Sequence, residues 1–172
     1  MSLKLIKRFL LALIIGGTVM SCMKENENPF VPPTKAEETA LLNEYLDSIQ
    51  NWGMDIDTTG LGVYYVTDSI GNGVFPVFGD TCVVSYTGFF INGQTFDQGS
   101  ADYEFVLGNE VLIDGWNDGM RMIDKEGRAY LIIPSDHAYG ISGVQDYYGN
   151  YLIPPNTTVV FYVEMVDIKP YN

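Results

Sequence analysis

Two periodicities divide the chain. In "TKAEETALLNEYLDSIQNWG", residues 34–53, apolar side chains return with the period of an α-helix. Leu41, Leu42, Tyr45, Leu46, Ile49 and Trp52 form the stripe. Thr34 and Glu37 have capping-box spacing, and Gly53 supplies a stop. From about residue 60 the texture changes to strands. "LGVYYVT", "TCVVSYTGFFI", "YEFVL", "RAYLIIP" and "TTVVFYVEMVDI" each read as one. Tyr103, Phe105 and Leu107 alternate onto one face, as do Val159, Phe161, Val163 and Met165. "IGNG" and the Asn92-Gly93 pair mark turns, the second with hairpin chemistry. "VLIDGWNDGMRMI" is the one short helix among the strands.

This order predicts an α+β domain, an antiparallel sheet with a short helix on one face. The N-terminal stripe reads either as packing on its own domain or as a dimer contact, and a single short helix favours the first.

The beginning of the chain has a different character. "MSLKLIKRF" supplies Lys4, Lys7 and Arg8, and "LLALIIGGTVM" is apolar but short for a membrane span. The run stops at "VMSC", which resembles a bacterial lipobox with Met20 bulkier than usual. The expectation is a signal over 1–21 and a lipid-bearing Cys22; the alternative is an ordinary cleaved signal. "MKENENPFVPPT" follows as part of a polar, Pro-containing tether over 22–35, then the helix over 36–53 and the main domain over 54–172. Met23 stands where an Asp would retain a lipoprotein at the inner membrane. The expected location is therefore the cell envelope, lipid-anchored in the outer membrane, on its periplasmic or surface face.

The chain has two cysteines, and cleavage before Cys22 leaves only Cys82, so a disulfide framework is not expected. Cys82 shares strand parity with Val84 and Tyr86 and reads as a small buried hydrophobe. Formal charge is −13, from 9 bases and 22 acids. Three of those bases lie in the signal, which leaves six against 22, about −16. That argues against nucleic acid and against electrostatic adhesion to anionic lipid.

Nothing in the sequence favours a familiar catalytic constellation; composition alone leaves a Ser-His-Asp arrangement open, but a lone histidine is more often structural or exposed. One histidine, His137, and one remaining cysteine do not make a zinc set. There is no G-x-S-x-G, phosphate loop or EF-hand spacing, and no cofactor is expected. What recurs are short aromatic and aliphatic motifs: "VSYTG", "FD", "YEFVLG", "VLIDGW", "IPSDHAYG" and "LIPPNTTVVFYVE". In this order they resemble the FKBP-type peptidyl-prolyl cis-trans isomerases, from about Gly60 to Ile168.

The resemblance implies a twisted antiparallel half-barrel wrapped around one short helix, with an apolar pocket between them. Trp116 would be the floor, and Tyr86, Phe96, Tyr103, Leu112, Ile113, Ile153 and Phe161 the walls. Tyr139 would stand at the rim with its hydroxyl toward substrate, and the Ile113 amide would donate to a substrate carbonyl. Asp97 would be the polar group beside the reacting bond, held by hydroxyls such as that of Tyr86. Asp97, Tyr86 and Tyr139 are thus the expected catalytic residues. Phe105, Leu107 and Val163 read as plain core.

Expected partners are proline-containing polypeptides, and the macrolide ligands of the family. The expected function is isomerisation of X–Pro bonds in exported proteins; the alternative is a non-catalytic binding module or chaperone subunit of an envelope complex. "GISGVQDYYGNYLIPP" is longer than the compact family pattern, so its loop, with Tyr147, Tyr148 and Tyr151, would either cover or extend the pocket. His137 and "FDQGS" also depart from the commoner family residues.

Overall fold

The computed structural model describes residues 31–108 and 112–171. The expected signal, the anchor Cys22 and the tether up to residue 30 lie outside the described residues. In chain order the elements are α1 (Lys35–Asn51), β1 (Asp57–Thr58), β2 (Tyr64–Ser69), β3 (Thr81–Phe90), β4 (Thr95–Val106), α2 (Asp114–Met120) and β5 (Arg128–Ile133). A 3₁₀ turn (Ser135–His137), β6 (Val144–Gln145), β7 (Tyr151–Ile153) and β8 (Val159–Lys169) follow.

Six strands form one antiparallel sheet in the order β1-β2-β5-β8-β3-β4. β8 lies between β5 and β3, which explains its near-continuous apolar run. Val159, Phe161, Val163 and Met165 are buried in the cluster that contains Trp116 and Met120 of α2. Val160, one residue out of phase, is buried in the second cluster, with Leu42 and Ile49 of α1. Both clusters therefore meet at one strand, as alternating side chains of a central strand require.

α1 begins as its sequence dictates. The Thr34 hydroxyl accepts from the Glu37 amide, and the Glu37 carboxylate accepts from the Thr34 amide at 2.7 Å. Gly53, at φ 76°, takes the left-handed conformation just past the helix end. The helix packs on its own domain, and burying Leu42 and Ile49 contributes roughly 1.5–3 kcal/mol each. Leu41 and Trp52 of the expected stripe are exposed instead, flanking the line that faces the sheet. On that line the sequence places an acid, Glu38, which is 3% exposed.

Two further differences have local causes. The inner helix is shorter than its apolar pattern, because Met122 and Ile123 close turns onto Gly119 and Met120 rather than continuing the helix. The long segment after Tyr139-Gly140 contains a two-stranded ribbon, β6 with β7. Its tip is tied by Asp146, which accepts from the Tyr148 and Asn150 amides, each at 2.9 Å. Strands of two and three residues leave no readable period in a sequence.

Candidate active site

α2 brings Trp116 against the sheet beneath a cavity of about 160 Å³. Trp116 is 4% exposed and meets Phe161 of β8 edge to face, ring centroids 4.9 Å apart. Tyr86 of β3 meets Trp116 at 5.1 Å and Tyr103 of β4 at 5.5 Å, also edge to face. Leu112 and Ile113, leading into α2, and Tyr139, after the 3₁₀ turn, complete the lining with Asp97. Four rings meeting at their edges form a box whose shape does not depend on flexible side chains. The Trp116 Nε1 is buried and has no hydrogen-bond partner among the described residues.

Among the described residues, Asp97 is the only charged side chain that lines this cavity. Its Oδ2 accepts the Tyr86 hydroxyl at 2.9 Å, and its Oδ1 accepts the Gln98 amide at 2.8 Å. The carboxylate itself lies at the solvent-exposed mouth. Burial, the hydrogen bond to Asp97 and the Asp97 charge together push the Tyr86 phenol far above its ordinary pKa. Burial, followed by the same charge, also raises Tyr139. Both phenols therefore remain protonated donors throughout the physiological range. Among the described residues, no group of three or more His, Cys, Asp or Glu side chains is arranged to hold a metal ion.

Phe96 and Ile153 stand elsewhere. They line an adjoining cavity of about 450 Å³, walled by the β3–β4 hairpin on one side and by the β6–β7 ribbon on the other. Phe96 is in ring contact with Phe90 at 5.0 Å and with Phe161 at 5.6 Å. Val144, Tyr151 and Leu152 of the ribbon reach this outer cavity. Asp97 and Tyr139 line both spaces. The long loop thus walls the outer cavity, whereas its tyrosines 147 and 148 are 97% and 85% exposed.

Residues 73–166 match the family of FKBP-type peptidyl-prolyl cis-trans isomerases. The chain belongs to that family. It is 39% identical over 139 residues to the FKBP-type peptidyl-prolyl cis-trans isomerase FkpA of Escherichia coli, covering 78% of this chain and 48% of the relative. A probable FKBP-type isomerase of Haemophilus influenzae is 35% identical over 121 residues, 69% of this chain and 47% of the relative. The chain thus spans about half the length of the curated relatives it matches. The crystal structure of FkpA from E. coli superposes with TM-score 0.62 at 31% identity, over 80% of this chain and 63% of that one. A peptidyl-prolyl cis-trans isomerase from Pseudomonas syringae pv. tomato gives TM-score 0.68 at 27% identity, over 83% of this chain and all of the other.

Within the FKBP-type segment, close packing rests on small residues. Gly99 is opposite Tyr86 across the β3–β4 pair, and a Cβ there would collide with the Tyr86 ring. Gly115 sits against Ile133 and the His137 carbonyl, which lets α2 approach β5 and the 3₁₀ turn. One residue that contacts the site's framework escaped the sequence reading altogether. Glu38 lies outside the matched segment, yet it bonds to Ser135, in the turn that precedes Tyr139, and to Thr158, just before the strand β8 that carries Phe161. Its signal was an acid in helical phase with Leu42, Tyr45 and Ile49.

Proposed function

We propose that the chain catalyses cis–trans rotation about X–Pro bonds of polypeptides in the aromatic box over Trp116. The observation that carries this reading is the box itself: aromatic and aliphatic walls and, among the described residues, one carboxylate at its mouth and no serine, cysteine or histidine in its lining. Rotation about X–Pro breaks no bond, and its barrier of ~20 kcal/mol is largely lost amide resonance. The twisted amide has less charge separation than the planar one, so a dry apolar enclosure favours it. A thousandfold acceleration requires only about 4 kcal/mol, within reach of shape, desolvation and one or two hydrogen bonds.

In this reading the proline ring lies on Trp116 between Tyr86 and Phe161. Tyr139 and the Ile113 amide donate to substrate carbonyls, and Asp97 orients the Tyr86 hydroxyl. Bound peptide covers the mouth and strips water from Asp97, which strengthens its field at the twisting bond. Phe96 and Ile153 hold the residues that flank proline in the outer cavity. Macrolide ligands of the family would occupy the inner box. An isomerisation assay of the full chain on short X–Pro peptides tests the proposal, and an inactive chain would sink it.

The outer cavity, larger than the inner one and built partly from the ribbon, supports a second reading: a holding module that binds unfolded polypeptide without turnover. Binding of proline-containing peptides in the absence of any isomerisation would select it.

The workplace proposed is the cell envelope, with Cys22 lipid-bearing in the outer membrane and exported proteins as clients. Support comes from "VMSC" directly after the apolar run. A single lipid chain anchors only marginally, so multiple acylation is expected. Cys22→Ser should abolish incorporation of a palmitate analogue and release the protein from membranes; equal labelling of both forms would remove the anchor.

A further inference from the structure

Glu38 is a buried carboxylate whose oxygens are all engaged. Its Oε1 accepts the Ser135 amide at 2.7 Å and the Thr158 hydroxyl at 2.9 Å. Its Oε2 accepts the Ser135 hydroxyl at 2.6 Å and the Lys35 ammonium at 2.8 Å. Lys35 also pairs with Asp136 at 2.8 Å, on the same turn. The turn is the point of interest. The Ser135 carbonyl accepts the Ala138 amide at 2.9 Å and the Gly140 amide at 2.8 Å, which fixes Tyr139 between them. The Gly140 carbonyl accepts the Asn156 amide at 2.9 Å, and the Asn156 side chain donates to the Pro33 carbonyl at 2.8 Å. The His137 carbonyl lies against Gly115, next to the floor residue Trp116.

Stability alone does not call for a carboxylate here, since well-packed apolar groups serve as well or better than a buried ion. A fully bonded carboxylate does something apolar contact does not: it fixes the direction of each donor. We propose that Glu38 is a positioning residue for the isomerase site, contributed by a helix outside the FKBP-type segment. It clamps the Ser135–His137 turn to the start of β8 and so sets Tyr139 relative to Trp116. The proposal rests on the assignment of the aromatic box as the isomerase site.

The test compares full-length Glu38→Gln, which preserves volume, with Ile49→Val, a core change on the same helix that touches nothing in the site. Activity is read well below both melting temperatures. Glu38→Gln should lower kcat/KM about five- to thirtyfold, mostly through kcat, whereas Ile49→Val should leave it unchanged. In hydrogen exchange the Ala138 and Gly140 amides should open about tenfold faster in Glu38→Gln while those of β8 keep the parent rate. Activity within twofold of the parent, or a loss that only tracks melting temperature, overturns the positioning role. If the parent turns over no X–Pro peptide, the isomerase reading falls. Exchange at Ala138 and Gly140 then decides alone, and parent-like rates there refute the clamp.

Discussion

The Tyr86 hydroxyl reaches across the β3–β4 pair to Asp97, 2.9 Å away, and thereby ties a wall of the box to its mouth. Asp97→Asn keeps the volume and removes the charge. Steady-state kinetics should show kcat/KM three- to thirtyfold lower, or about 0.7–2 kcal/mol of transition-state stabilisation, with little change in melting temperature because the side chain is exposed. The Tyr86 phenol should also titrate at lower pH in the variant, since burial and the neighbouring Tyr103 and Tyr139 phenols would hold it up without the Asp97 charge.

Gly99→Ala would force a methyl into the space of the Tyr86 ring. Overpacking of this kind costs about 1–3 kcal/mol. The displaced ring should reduce activity more than Asp97→Asn does, and near-ultraviolet circular dichroism should report the altered Tyr86–Trp116 contact. Parent-like activity in this variant would detach Tyr86 from the reaction.

Leu152 and Val144 face the outer cavity without lining the inner one. Leu152→Ala should therefore redistribute KM among peptides that differ beside proline, by about two- to tenfold or 0.4–1.4 kcal/mol, and leave kcat alone. A uniform loss of kcat across peptides would instead assign the ribbon to the rotation step.

Much of this was legible before the fold was known, and the boundary is physical. β8 and β3 announced themselves because a central strand must be apolar on both faces, and the cap of α1 because Thr34 and Glu37 pair locally. The ribbon was invisible because its strands are too short for a period. The division of the site into two cavities was equally hidden: whether Phe96 faces Trp116 or lies beyond Phe161 depends on register shifts in β3–β4, at Val84/Tyr86 and Gly88/Phe89. Glu38 looked like one more surface acid in an acidic chain, since its partners are 97 and 120 residues away.

Acid sensitivity should single Glu38 out. Burial raises its pKa, but the bonds from Lys35, Ser135 and Thr158 outweigh that and hold the carboxyl below its usual range. A depressed folded-state value means its contribution is complete above the unfolded value, roughly 4.3, and is lost as pH falls through the folded one. Denaturation curves from pH 7 down should show Glu38→Gln losing less stability below pH 4 than the parent. Parallel acid limbs would refute this.

Cys82 is fully buried, and burial followed by the charge of Asp80 pushes its thiol up to about 12. In a Cys22→Ser chain at pH 8, a disulfide reagent should label nothing until denaturant is added. Rapid labelling of the native form would show that the β3 edge of the core opens readily.

The helix on the outer face also changes what counts as the minimal folding unit. A fragment cut to residues 73–166 would lose β2 and α1 together, and Ile132 and Val160 would meet water as one greasy strip on adjoining strands. Such a strip beside an opened strand edge invites intermolecular pairing. Anyone expressing the FKBP-type segment alone should thus expect inclusion bodies, and should begin the fragment no later than Pro32, where the cap of α1 is still intact.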